Sequence, residues 1–335
     1  MKQQSKTKRM ALNALKAMII PVGMWLIFAV LSGGRTATVK MLVTTMRQSV
    51  TPIIICYGLM LNMSVGMMNF SAGGMMLFAG IVGGNLAKMT GTGILGMLFF
   101  CLALCVLEGA LTGVLYNKMR VPCIVLSIGM MLVWESFPKV IFESGVNLKA
   151  GMTLWARSPY CFIILAVMLA VFHVIYNKTA FGHNLRAIGA NQAIANSVGL
   201  DSDKIKFLSF TLGALFLGVG AFLYVSERGE VRNMAAMGSM AIMMDGFMGM
   251  FIAMFLTKYC NMSIAVILGT FSMKMLSNGF VAMGLSSTVR DIVQGLFLLV
   301  LLVISANAGL FERRKANKAF AEKCNEAYKK AAAAV

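Results

Sequence analysis

Chemistry in this 335-residue chain must be done by a few polar side chains set among apolar ones. Two carboxylates interrupt long hydrophobic runs: Glu108 in LALCVLEGALTG and Asp245 in AIMMDGFMGM. Asn62, Ser64, Asn69 and Ser71 surround Phe70 in NMSVGMMNFSAGG, and Asn278 and Gln294 lie near the ends of two late apolar runs. A carboxyl group in hydrocarbon is costly, so it faces protein or a water-filled path. Such groups either hydrogen-bond a passing polar solute, relay protons, or pair with a neighbouring helix and never meet a solute. The break at 64–70 is the stronger pathway candidate, because an unwound backbone at depth is tolerated where it lines a cavity. The sequence contains no HExxH, no GxSxG and no acid pair at catalytic spacing, which argues against an enzyme. It has no GxxxxGK[ST], so no nucleotide site is expected in this chain. Seven cysteines without a CxxC pair and two histidines point to neither a metal centre nor a disulfide framework.

These residues must be positioned by membrane helices. The chain is 59% hydrophobic and 13% charged, against about 25% charged in a soluble domain. Runs long enough to cross a bilayer are expected near 16–33, 50–66, 71–88, 92–116, 121–137, 159–176, 205–225, 237–257, 261–280 and 288–309. The fold class is therefore all-α, a polytopic transmembrane bundle of about ten spans. A basic stretch at 1–15 precedes a permeation domain over 16–310, and a charged tail at 311–335 follows it. The net charge is +18, and 19 of the 30 Lys and Arg fall on the inner side, including the tails and the 117–120 and 177–204 loops. This is the distribution that orients helices, with both termini in the cytoplasm. No basic face with stacking aromatics is visible, so nucleic acid is not an expected partner. The first apolar run lacks an A-x-A-like site and reads as an uncleaved helix. Glycine-dense faces at Gly80, Gly83 and Gly84 and at Gly109 and Gly113 are expected to pack helices.

One polar segment interrupts the pattern: FGHNLRAIGANQAIANSVGLDSDKIK at 181–206. Phe181-Gly182 should bend the chain out of the membrane, Asn184–Ile188 form a turn, and Gly189 and Asn191 a corner. Ala193–Val198 suits a short helix stopped by Gly199, and Asp201-Ser202-Asp203 offers a cap for the next span. Two small helical pieces on the inner surface, rich in small residues, suit a docking element better than a plain loop. On the opposite side, Glu227, Arg228, Glu230 and Arg232 in SERGEVRN form either a charged docking loop or a solvated turn.

The string TAFGHNLRAIGANQAIANSVGL at 179–200 resembles the cytoplasmic coupling segment of ABC importer permeases of the ribose/simple-sugar type. Thr179, Gly182, Arg186, Ala187, Ile188, Gly189, Asn191, Ala195, Gly199 and Leu200 fall on that pattern, and Asn184 lies within it. NMSVGMMNFSAGGMMLFAG at 62–80 and SNGFVAMGLSSTVRDIVQGLFLLV at 277–300 are similar to two further segments of that family. The resemblance implies a multi-pass protein of the bacterial cytoplasmic membrane. It implies that residues 177–204 rest in a groove of a cytoplasmic ABC ATPase subunit. ATP and Mg would belong to that partner, with no cofactor in this chain. It further implies a second permease, identical or a divergent paralogue, an extracytoplasmic solute-binding protein and a simple sugar as solute. The family's glycine-rich late stretch is here GSMAIMMDGFMGMFIAMFLTKYCNMS at 238–263, and the acidic residue usual early in 62–71 is missing. Both losses suit a divergent partner in a heterodimer. The alternative on the residues alone is an ion- or proton-coupled secondary transporter using Glu108 and Asp245 as a relay.

Overall fold

The computed structural model describes residues 2–34, 36, 38–286, 288, 289, 292, 293, 295–297, 299, 300 and 303, with side chains from Lys16 onward except Ile20 and Ala150. Gln294, most of the expected span 288–309 and the whole 311–335 tail lie outside the described residues. The chain forms two units, Met1–Gly284 and Leu285–Val335. In the second, the described residues from 288 to 303 are helical.

The first unit is built from α1 (Lys2–Leu31), α2 (Val39–Met63), α3 (Ala72–Thr90), α4 (Gly93–Met119), α5 (Cys123–Ile141), α6 (Tyr160–Lys178), α7 (Ala180–Ala190), α8 (Gln192–Ser197), α9 (Ser202–Arg228), α10 (Met240–Leu256) and α11 (Met262–Ala282). α4, α5, α6, α9 and α11 are long and apolar enough to cross a membrane; α10 and Lys16–Leu31 are shorter apolar helices. The first nine expected spans each fall on a helix. α2, however, begins at Val39 rather than near 50. Arg47 and Gln48 give its first turns the look of a loop, whereas the helix carries them at one end. α1 runs without interruption from Lys2 through the rest of the basic stretch.

α9 is the centre of the unit, packed against α4, α2, α3 and α7. Its centrality follows from composition: GALFLGVGAF is apolar all round and carries glycines where neighbours cross. Without water to drive helices together, close backbone approach and van der Waals packing do the work. α2 crosses α9 where Gly58 and Gly213 meet backbone to backbone. Gly80, Gly83, Gly109 and Gly113 face neighbouring helices, as their clustering in the sequence leads one to expect, whereas Gly84 meets Val146 and Leu148 in the loop after α5.

The two ends of the unit differ. At one end, α7 and α8 fold between α6 and α9. At the other, a two-residue strand β1 (Val146–Asn147) pairs antiparallel with β2 (Glu230–Val231). This joins the loop after α5 to the loop after α9.

Candidate functional site

The α7–α8 element is built from local signals. The chain turns at Thr179, slightly before the expected Phe181-Gly182 bend. The Thr179 hydroxyl donates to the Ile175 carbonyl (2.6 Å) and accepts from the Gly182 N–H (3.2 Å). Leu185 and Ile188 bury the inner face of α7. Asn191 is the corner: its backbone ends α7, and its Oδ1 accepts from the Ile194 N–H (3.1 Å) to cap α8. Gly199 takes the left-handed conformation (φ +89°) that stops the helix. Asp201 caps α9 through the Lys204 N–H (3.1 Å) and pairs with the Lys204 ammonium (3.0 Å). Those bonds, the backbone one foremost, hold its carboxyl below the usual aspartate range. The Ser202 hydroxyl donates to Asn196, fastening α8 to the start of α9.

α7 rests on the first break in the helices, the 64–71 segment between α2 and α3. A Cβ on Gly189 would collide with the Ser64 carbonyl oxygen. Arg186 lies over the Tyr176 ring, 5.2 Å from its centroid. Tyr176 stacks on Phe172, and Phe172 on Tyr57 of α2 (4.4 Å). A continuous aromatic column thus runs from the element to the core. Gly182, Gly189 and Ala195 serve this chain's own packing, whereas Ala187, Ala190 and Gly199 are exposed. Gly182 abuts the carbonyls of Ile175 and Tyr176, Gly189 abuts Ser64, and Ala195 is buried. The element presents a mixed surface outward: apolar Ile194 (62% exposed) and Val198 (76% exposed) lie among exposed polar His183, Gln192, Asn196 and Ser197. Ala187 and Asn191 are also exposed, with Asn184, Arg186 and Leu200 half-buried.

A second break is not visible in the sequence. Val146, paired with Val231, packs at Gly84 of α3, whereas the Ser239 carbonyl fills the position of a Cβ on Gly73. Gly73 and Gly84 are eleven residues apart on α3, about 16 Å at the helical rise of about 1.5 Å per residue. Residues 232–239 therefore descend beside α3 as irregular backbone, and α10 starts inside the bundle. Glu135 of α5 receives that start: its Oε2 accepts from the Ser239 N–H (3.2 Å) and from the Ser239 hydroxyl. A carboxylate at a helix N-terminus offsets the positive end of the helix dipole. Just before it, Ala236 (φ +55°) and Met237 (φ +67°) adopt a left-handed backbone that costs side-chain-bearing residues energy.

The candidate pathway residues do not converge on one spot. Ser64 bonds to the Met60 carbonyl (2.7 Å). Asn69 Oδ1 accepts from the N–H (3.1 Å) and hydroxyl (2.6 Å) of Ser71, so both are buried in the break's own turn. Phe70 stacks on Phe247 of α10 (5.1 Å), tying the two breaks together. Asn62 is fully buried against Gly213, and its side-chain amide has no hydrogen-bond partner among the described residues. Glu108 is also fully buried, and its carboxyl group has no partner among the described residues, in a helix packed on α9 and α3. Asp245 pairs with Lys274 of α11 (2.8 Å). Asn278 donates to Thr45 and Gln48 of α2 (2.9 Å each). Gln294 is not described.

Sequence reasoning misses Glu135 and Lys274. Lys274 carries a signal, a lone lysine inside FSMKMLSNGF, which in an apolar helix calls for a counter-charge. Glu135 carries little, because it falls near an expected helix end where a charge attracts no notice. Among the described residues there is no cluster of His, Cys, Asp and Glu fit for a metal ion.

A polytopic helical bundle with broken helices and a folded element at one end is the architecture of a membrane permease. A family model described as "Branched-chain amino acid transport system / permease component" matches residues 41–302. The chain belongs to that family, and it is a multi-pass protein of the bacterial inner membrane. Among curated proteins, it is 25% identical over 228 residues to the "Autoinducer 2 import system permease protein LsrC" of Yersinia pseudotuberculosis serotype O:3 (strain YPIII), covering 65% of this chain and 64% of that protein. The protein of the same name from Photorhabdus luminescens is 23% identical over 232 residues, 66% of this chain and 68% of that one. The chain thus spans 64% of the length of the Yersinia relative. No solved structure matches it.

Proposed function

We propose that the chain is the transmembrane subunit of an ABC importer and translocates a small polar solute of the simple-sugar type. A separate cytoplasmic subunit hydrolyses Mg-ATP, and closure of that subunit moves α7–α8. A second permease, identical or a divergent paralogue, completes the pathway, and a solute-binding protein delivers solute at the β1–β2 end. About ten spans place both termini in the cytoplasm.

The observation that carries this reading is the seat of α7–α8. The element presents apolar Ile194 and Val198 outward and rests through Gly189 on Ser64, where the first break begins. A push on it is delivered to 64–71 and, through Phe70 and Phe247, to α10. The ion-coupled alternative gains no support from the geometry. Glu108 is sealed within packed helices, and Asp245 is already neutralised by Lys274.

The test is reconstitution of the chain, with the ATPase that co-purifies with it, into proteoliposomes. Autoinducer 2, after which the relatives are named, is the first solute to offer, followed by pentoses and hexoses. ATP-dependent accumulation that survives a protonophore supports the proposal. Accumulation that ignores ATP and collapses with the protonophore would replace it with secondary transport.

A further inference from the structure

At the end opposite α7–α8, a cavity of about 300 Å³ opens between α2, the 3-10 turn at Ala150–Ala156 with the residue after it, and the end of α9. Arg47, Arg157 and Arg228 line it, with Glu227 the single acid among the lining residues, and the Ser226 hydroxyl there donates to the Met152 carbonyl (3.4 Å). Arg228 is steadied over the Tyr224 ring (4.6 Å). Arg47 and Arg157 have neither an ion pair nor a side-chain hydrogen bond among the described residues. Lys274 of α11 lies near Glu227 as well, but its charge is already paired with Asp245.

Three guanidiniums on one small cavity repel each other. All three arginines are exposed, so water screens part of that repulsion, and an anion bridging them would relieve the rest. Glu227 supplies one charge, which leaves the cavity positive. A guanidinium presents paired N–H groups that match the oxygens of a phosphate, and a volume of about 300 Å³ is at the small end for ligand pockets. A carboxylate beside the guanidiniums gives the ligand's hydroxyl group an acceptor. The larger cavity at this end, about 750 Å³, is a poorer candidate. Its Lys88, Lys139 and Arg232 are offset by Glu143 and Glu230 to a single net positive charge, and Arg232 is already bonded to Glu230 (2.9 Å).

We infer that the Arg47–Arg157–Arg228 cavity is a binding site for a hydroxyl-bearing phosphate ester. Two sources share that chemistry: the phosphoglycerol headgroup of an anionic lipid, and a free phosphorylated polyol. The inference concerns binding at this end alone and stands or falls independently of ATP-driven transport.

The experiment places the full chain in nanodiscs of phosphatidylcholine and titrates glycerol phosphate by calorimetry. In parallel, nanodiscs containing phosphatidylglycerol are delipidated stepwise and retained lipid is counted by native mass spectrometry. The variant is Arg47→Gln/Arg157→Gln. The control, Lys88→Gln/Lys139→Gln, removes equal charge from the neighbouring cavity. Loss of a hydrogen bond to a charged group corresponds to about a ten- to hundredfold weakening. We expect that loss in the arginine variant and not in the lysine control. Weakened glycerol phosphate binding identifies a free ester as ligand, and weakened phosphatidylglycerol retention alone identifies a headgroup. Should the double variant fail to fold, Arg157→Lys keeps the charge but loses the paired N–H groups, and it should still weaken binding. No binding of either probe, or equal loss in both double variants, overturns the inference.

Discussion

Gly189 of α7 and Ser64 at the end of α2 meet so closely that the glycine has no room for a Cβ before the serine carbonyl oxygen. The contact joins residues 125 positions apart in sequence, as the numbering shows. It places the element that faces outward directly on the segment where α2 gives way to irregular backbone. Flexible linkage would absorb a push. A backbone-to-backbone contact passes it on, because packed interiors deform little.

Gly189→Ala should therefore damage transmission more than folding. The added methyl forces α7 away from Ser64, an overpacking change that costs about 1–3 kcal/mol. Solute moved per ATP should fall while ATP hydrolysis by the assembled complex continues. An unchanged transport-to-hydrolysis ratio would show that the contact carries no coupling.

Ile194 and Val198 should behave in the opposite way. Both are exposed on or beside a helix of six residues, so Ile194→Ser/Val198→Ser should change stability little, within about 0.5 kcal/mol per surface site. Retention of the ATPase subunit through purification should drop sharply. Wild-type retention by the double variant would move the docking surface elsewhere.

The difference between these positions explains what is legible in the sequence and what is not. Caps, corners and stops are local, so Asn191, Gly199 and Asp201 mark out α7–α8 by residue type alone. Membrane helices are similarly legible, because hydrocarbon demands a long apolar run of its own. The reason Gly189 is small is not local, since it depends on a carbonyl far away in the chain. The start of α10 is hidden for the same reason. RNMAAMGSM reads as loop passing into span, and only Glu135, 104 residues away from Ser239, marks how deep the loop goes. Asp245 has the look of a relay acid because its partner Lys274 lies on another helix.

Glu135 should prove necessary for the second break. Glu135→Ala leaves the Ser239 N–H buried without its acceptor, a cost of about 1–3 kcal/mol. The left-handed residues Ala236 and Met237 then lose the anchor that holds them. Glu135→Gln keeps an acceptor and should be much milder. The measurement is the thermal midpoint in detergent, together with maleimide labelling of a cysteine placed at Met237. Alanine should lower the midpoint and speed labelling, and glutamine should do little of either. Equal behaviour of the two variants would mean that Glu135 acts through charge alone, not as an acceptor for Ser239.

The cap of α9 gives a dependence on pH with a definite sign. Asp201 is exposed, and its carboxyl is held below the usual aspartate value by the Lys204 N–H first, and then by the Lys204 side chain. A group whose pKa is lower in the folded state stabilises that state above its unfolded pKa, about 3.9 for aspartate, and loses the contribution as pH falls through the folded value. Asp201→Asn keeps a capping oxygen but removes the charge. Wild type should therefore melt above the asparagine variant at pH 5–8, with a gap that is constant there and narrows below about pH 4. Because the pair is solvent-facing, salt should narrow the gap as well. Thermal scans in detergent at pH 7, 5 and 3, with and without added salt, read both effects. A gap that persists undiminished at pH 3 would show that the ionised carboxylate is not what stabilises the turn joining α8 to α9.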